Sequence, residues 1–201
     1  IKTPITIING YIEEIEDGLV TPQKMPAALK HMKKEVEFLD ELTIDMLEFI
    51  SSMEQYKTKE KIMLYYFIKN EVFPLLPQND KVKLLSTIDK DYVVKFNKVD
   101  LKKICVNILS NAIKYTKEGY VKVSALDNNI LFENNGEEIK DEFKDKIFEP
   151  FFTISTSKNR KDSGFGLGLS IVTNLSKNND YKCTLDSSTK EKTVFSLEAM
   201  S

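Results

Sequence analysis

Ile1, Ile5, Ile8, Ile12 and Ile15 recur at 4-3-4-3 spacing, the seam of a helix that must bury one apolar stripe against another helix. Gly18 ends that segment, and "GLVTPQKMP", with two prolines, is a turn. A second seam then runs through Leu29, Met32, Val36, Leu39, Leu42, Met46, Ile50 and Met53. Two helices joined by a short loop make a hairpin over residues 1–60. Alone, it leaves its stripes half covered. Either a second copy covers them in a dimeric four-helix bundle, or the rest of the chain does.

Beyond Tyr56 the period changes. "KVKLLSTID", "YVVKFNK", "YVKVSALD", "NILFENN" and "YKCTLDSS" read as strands, and Phe195, Leu197 and Ala199 alternate in a last one. A long helix is expected from about Lys98 to Tyr115, a shorter one near 139–147, and another after "GFGLGL". Strands and helices mix without regular alternation, so residues 61–201 are read as α+β, with helices on one face of a sheet.

Net charge is −2, so no global field points to nucleic acid or an acidic membrane surface. Cys105 and Cys183 are the only cysteines, too few for a disulfide framework or a zinc site, and a reducing compartment is the default. No apolar run approaches the roughly 18 residues of a membrane-spanning helix. The chain opens at Ile1 without a methionine and reads as a fragment of a longer polypeptide.

In "GFGLGLSIV" three glycines alternate with apolar residues directly before a helix. Such a turn lets backbone amides approach an anion, and the helix dipole adds to the attraction. The same pattern also fits a flexible turn without a ligand. On the helix from Lys98, Asn97 is placed to cap, with Asp100 three residues on to return the bond. Leu101, Ile104, Ile108 and Ala112 form its apolar face. Asn107, Asn111 and Lys114 share another stripe, at i, i+4 and i+7. Asparagine is a poor helix former, and its carboxamide oxygen is a hard ligand suited to Mg²⁺. A solvated polar face is the alternative.

With these residues in view, "NILSNAIKYTKEG" resembles the asparagine box of sensor histidine kinases, "FENNGEEI" their first glycine box, "IFEPFFT" their phenylalanine box and "GFGLGLSIV" their second glycine box. All four stand in the family's order, and "IKTPIT" resembles the segment that follows the phosphoacceptor histidine. The resemblance implies a dimerisation and histidine-phosphotransfer hairpin followed by an α/β sandwich that binds ATP and Mg²⁺. It also implies a homodimer, a response-regulator partner, and a cytoplasmic position within a membrane-anchored parent, with no nucleic acid involved.

By position it makes Asn111 the metal ligand, with Asn107 supporting metal and phosphates, Lys114 facing the phosphates and Tyr115 the nucleotide. Asn134 and Gly136 would hold the adenine. Gly164, Gly166, Leu167 and Gly168 would form a lid over the triphosphate, with Lys158, Arg160 and Lys161 as its cations and Phe165 as its apolar latch. Phe148, Phe151 and Phe152 read as core or lid anchors. Thr3 matches the position that helps dephosphorylate the regulator.

The chain departs from the family in three places. The acceptor histidine would stand two residues before Ile1; the only histidine present is His31, in a basic, solvated stretch. Asn134 replaces the usual aspartate, keeping an acceptor without its charge, so Asn134→Asp is expected to strengthen adenine binding. Glu138 replaces a glycine and removes backbone freedom. Two other functions fit parts of this pattern, a non-catalytic phosphotransfer or docking scaffold and an ATP-hydrolysing enzyme. The related hydrolases carry a glutamate base where Asn107 sits, and an amide cannot take a proton from water.

Overall fold

The computed structural model describes residues 2–54, 58–154 and 164–200. Helices α1 (Lys2–Glu16) and α2 (Met25–Ser52) pack on each other, with the Tyr11 and His31 rings stacked at 5.9 Å. Pro4 lies in the first turn of α1, where its missing N–H costs no helical bond. The two seams do not behave alike. Leu42 is buried and Met46 packs on the core formed by the rest of the chain, whereas Leu29, Val36, Ile50 and Met53 are exposed.

After α2 come strand β1 (Glu60–Met63) and a short helix α3 (Leu64–Phe67), which widens to a π-helical turn (Ile68–Val72) and tightens to a 3-10 turn (Phe73–Leu75). The sequence reading gave no elements here. Then follow β2 (Val82–Ser86), β3 (Val93–Phe96), α4 (Lys98–Lys114), β4 (Gly119–Leu126), β5 (Asn129–Asn134), α5 (Gly168–Asn178), β6 (Tyr181–Ser188) and β7 (Thr193–Ala199). The helix expected near 139–147 is instead two 3-10 turns, Asp141–Phe143 and Lys146–Phe148, closed by the short-range bonds Phe143 N–H to Lys140 O and Glu149 N–H to Lys146 O.

Strands β2-β4-β5-β7-β6 make one mixed sheet in that order, parallel only between β2 and β4, while β1 and β3 pair separately. The central register sets Val123 opposite Phe132 and Phe132 opposite Phe195. Val121, Val123, Ile130, Phe132 and Leu197 form one core with Leu101, Ile104 and Ile108 of α4 and Ile171, Val172 and Leu175 of α5. This is the helix-on-sheet arrangement the mixed pattern predicts.

Asn97 caps α4 by accepting the Asp100 N–H at 3.1 Å. The return bond runs elsewhere: the Asn97 N–H donates to Asn179 Oδ1, and Asn179 Nδ2 donates to Asp100 Oδ2. One buried carboxamide thus ties the start of α4 to the end of α5.

On the other face of the sheet, Glu133 accepts from Lys122 at 2.8 Å, Tyr120 at 2.7 Å and Lys192 at 3.3 Å. Burial pushes its carboxyl up, but these hydrogen bonds outweigh it and hold the pKa at about 2. A carboxylate depressed in the folded state stabilises the fold above its unfolded value of 4.5, and that contribution fades as pH falls towards 2. Glu133→Gln should therefore lower stability at neutral pH by on the order of 1–2 kcal/mol, the lysines being partly solvated. The gap between variant and wild type should close below pH 2, measured by urea titration across pH.

Candidate nucleotide site

Helix α4, the turn into α5 and the segment after β5 enclose a cavity of about 720 Å³ among the described residues. Asn107, Asn111 and Lys114 line it from α4, and Tyr115 from its C-terminal end. Asn134 lines it from the end of β5, and Gly164, Gly166, Leu167 and Gly168 from the turn before α5. Thr193 and Phe195 of β7 form its floor. Nine of the expected site residues therefore meet around one space.

Gly136 stands just behind the wall. A Cβ there would overlap Tyr115 O and come within 2.5 Å of Asn134 Nδ2. Glu138, which replaces the family's glycine, lines the cavity itself. Thr3 is exposed on α1, away from this cavity. Lys158, Arg160 and Lys161, and most of the expected lid, lie outside the described residues.

The chemistry of the wall changes from one end to the other. At one end Asn134 is buried, and its Nδ2 donates to Thr116 Oγ1 at 3.0 Å. The Thr116 hydroxyl donates in turn to Ala112 O at 2.7 Å. This chain of donors leaves Asn134 Oδ1 as the acceptor. It also wires the position for an amide, since an aspartate could keep the Thr116 contact only by turning the hydroxyl away from Ala112 O. The gain expected from Asn134→Asp is offset by that loss. Tyr115 has its phenol pushed up by burial and by Glu137, so it is neutral, and Lys114 Nζ lies 5.3 Å above its ring.

At the other end Asn107 donates to Lys103 O at 2.9 Å, which leaves its Oδ1 turned towards Gly168. A Cβ on Gly168 would lie 2.8 Å from that oxygen and 3.7 Å from Asn111 Nδ2. Glycine is what allows the first turn of α5 to meet the two asparagines. Leu167 caps α5 without any side-chain bond, so the first N–H groups of the helix remain available to an anion. The Asn107 oxygen beside an uncapped helix start, with the Asn111 carboxamide one turn on along the same cavity wall, suits a hydrated Mg²⁺ carried by phosphates. Gly164 and Gly166 hold φ values of +66° and +70°, and the Gly166 carbonyl accepts the Phe151 N–H at 3.0 Å.

The three phenylalanines read as anchors divide. Phe148 packs edge-on against Phe195, and Phe152 against Phe143 while lining the cavity. Phe151 is 56% exposed, so it is not a core anchor, and its backbone takes a φ of +66°. Phe165, expected as the apolar latch of the lid, packs on Phe38 of α2 with ring centroids 4.9 Å apart. Thr116, Phe38 and Asp45, which also lines the cavity, were missed. Thr116 had a signal, standing inside the asparagine-box motif; the α2 residues had none apart from the helical period.

The family model for histidine kinase-, DNA gyrase B- and HSP90-like ATPases matches residues 96–200. The sensor protein kinase WalK of Staphylococcus haemolyticus is 29% identical over 185 residues, covering 85% of this chain and 30% of that protein. The chain thus spans about a third of that relative's length. Among solved structures, the histidine kinase AdeS of Acinetobacter baumannii superposes with a TM-score of 0.70 at 22% identity, over 99% of this chain and 95% of that one. The histidine kinase ThkA, solved in complex with the response regulator protein TrrA, gives 0.64 at 20%, over 99% and 58%.

Proposed function

We propose, from the premise that this chain belongs to the histidine kinase-, DNA gyrase B- and HSP90-like ATPase family, that it is the catalytic core of a two-component sensor histidine kinase. In this reading residues 61–201 bind ATP. The γ-phosphoryl group passes first to a histidine, which the resemblance places just ahead of Ile1, and then to an aspartate of a response regulator. The observation that carries the reading is the convergence of Asn107, Asn111 and the uncapped start of α5 on one cavity.

Asn134 Oδ1 accepts from the adenine amino group, and Gly136 lets the segment behind it pack against the Tyr115 carbonyl. Asn107 and Asn111 would hold Mg²⁺, which would supply charge neutralisation to the phosphates when bound. The N–H groups opening α5 and the Lys114 ammonium take up further phosphate charge. Asn107 cannot act as a base towards water, which favours transfer over hydrolysis.

The hairpin of residues 1–60 makes the chain a homodimer. Ile5, Ile12, Leu29, Val36, Ile50 and Met53 are 39–57% exposed, and a second copy would cover them in a four-helix bundle. The parent is a membrane-anchored sensor with this part in the cytoplasm; no described helix is long and apolar enough to cross a membrane. Thr3 would serve dephosphorylation of the regulator.

The test uses the longer parent polypeptide with labelled ATP and Mg²⁺. Acid-labile phosphate should appear on the protein and move to a receiver domain. Nucleotide binding without labelling would leave a docking scaffold, and release of free phosphate without labelled protein would indicate a hydrolase.

A further inference from the structure

Helix α2 is fixed along the nucleotide-binding half by contacts at several levels. Phe38 and Phe165 meet with ring centroids 4.9 Å apart. One to three turns further on, Leu42 is buried and Met46 and Phe49 pack on the core. Lys103 of α4 reaches Glu48 at 3.3 Å. At the end of the helix, Asn174 Nδ2 donates to Ser52 Oγ at 3.0 Å, and Asn178 Nδ2 donates to Ser52 O and Glu54 O, each at 2.9 Å. Asn178 of α5 thereby caps the carboxyl end of α2, and Asn174 holds the Ser52 side chain.

Between the aromatic contact and the cap lies Asp45, partly buried and facing the same cavity as Asn107, Asn111 and Gly168. The charges acting on it from its own helix are those of Glu41 and Glu48, both acidic, and Glu48 is already paired with Lys103. Lys114 and Lys140 are the cations that line the cavity among the described residues, and Glu137 and Glu138 line it too. A carboxylate in such a place opposes a bare triphosphate and favours one that arrives with a divalent cation. Mg²⁺ retains water and is held by carboxylates directly or through that water.

We infer that α2 forms one wall of the nucleotide site and that Asp45 is a positioning residue for the magnesium–nucleotide complex. This rests on the nucleotide reading above. The hairpin is then part of the site rather than only its phosphate acceptor: Asp45 discriminates metal-loaded from metal-free nucleotide, and the Phe38–Phe165 contact holds it in place.

The experiment measures affinity for a non-hydrolysable ATP analogue, with Mg²⁺ and with a chelator, on the intact chain. The readout is the ratio of the two affinities. Asp45→Asn should lower that ratio at least fivefold, through weaker binding with metal and tighter binding without it. Phe38→Ala, which removes the contact but no charge, should lower it in the same direction. Glu41→Gln removes an exposed charge one turn earlier and should leave the ratio within twofold. An unchanged ratio in Asp45→Asn, or an equal fall in Glu41→Gln, overturns the inference while leaving the nucleotide site intact. Failure of the wild-type chain to bind the analogue at all overturns the nucleotide reading itself, and this inference with it. Thermal midpoints within a few degrees of wild type establish that the variants are folded.

Discussion

Asn111→Ala should bind nucleotide equally weakly with and without Mg²⁺, losing about 30- to 100-fold in affinity when the metal is present. The substitution deletes the carboxamide oxygen from the middle of the α4 stripe, where Asn111 lines the cavity within reach of Gly168. It places alanine, the best helix former, in the last turn of the helix, so the scaffold is not weakened. The magnitude follows from losing a charge-assisted contact of roughly 2–3 kcal/mol. Isothermal titration with and without Mg²⁺ reads both limbs. Retention of the full metal effect would move the ligand role to Asn107, whose oxygen faces the same turn. Since Asn107 also bonds back to Lys103 O, its own substitution would mix a metal effect with a change in the helix.

Much of this site is legible in the sequence because its residues lie on regular elements. A helix puts positions 107, 111 and 114 on one stripe whatever surrounds it, and glycines in front of a helix mark a close backbone approach, here of Gly166 to Phe152 O and of Gly168 to Asn107. The segment after β1 was legible too, although it was not read. Leu64, Phe67, Ile68 and Val72 fall at i, i+3, i+4 and i+8, and all four are buried. The two 3-10 turns at 141–148 could not be separated from a helix by period, because both place apolar residues three or four apart. What the sequence hides is the use of α2. Its seam predicts burial but not the partner, and the chain divides it: Leu42 and Met46 turn to the core, Leu29 and Val36 to solvent. Phe38 meets Phe165, and Asp45 reaches the cavity of Asn107 and Gly168, only across more than fifty residues of chain.

Gly136→Ala should damage both binding and folding, and more severely than any single polar substitution at the Asn134 end of the cavity. The backbone here passes so close to Tyr115 that an added methyl would overlap the Tyr115 carbonyl oxygen and its carbon at 2.9 Å, and sit 2.5 Å from Asn134 Nδ2. Two of these three atoms are main chain at the end of α4, where Glu137 N–H also donates to Tyr115 O at 3.1 Å. They cannot swing aside as a flexible side chain does. Relief must come from shifting the 136–138 segment outward, which breaks that bond and pulls Asn134 off Thr116. The cost is on the order of 2–4 kcal/mol, combining overpacking with a lost buried hydrogen bond. Urea unfolding should show the loss without ligand, and nucleotide affinity should fall by more than tenfold in conditions where the variant is still folded. Gly10 provides the comparison: a Cβ there meets nothing within 4 Å, and in the interior of α1 Gly10→Ala should stabilise the helix by about 1 kcal/mol with no effect on nucleotide. If Gly136→Ala proved as benign as Gly10→Ala, the close packing of the β5 exit against the end of α4 would not be what shapes the Asn134 end of the cavity.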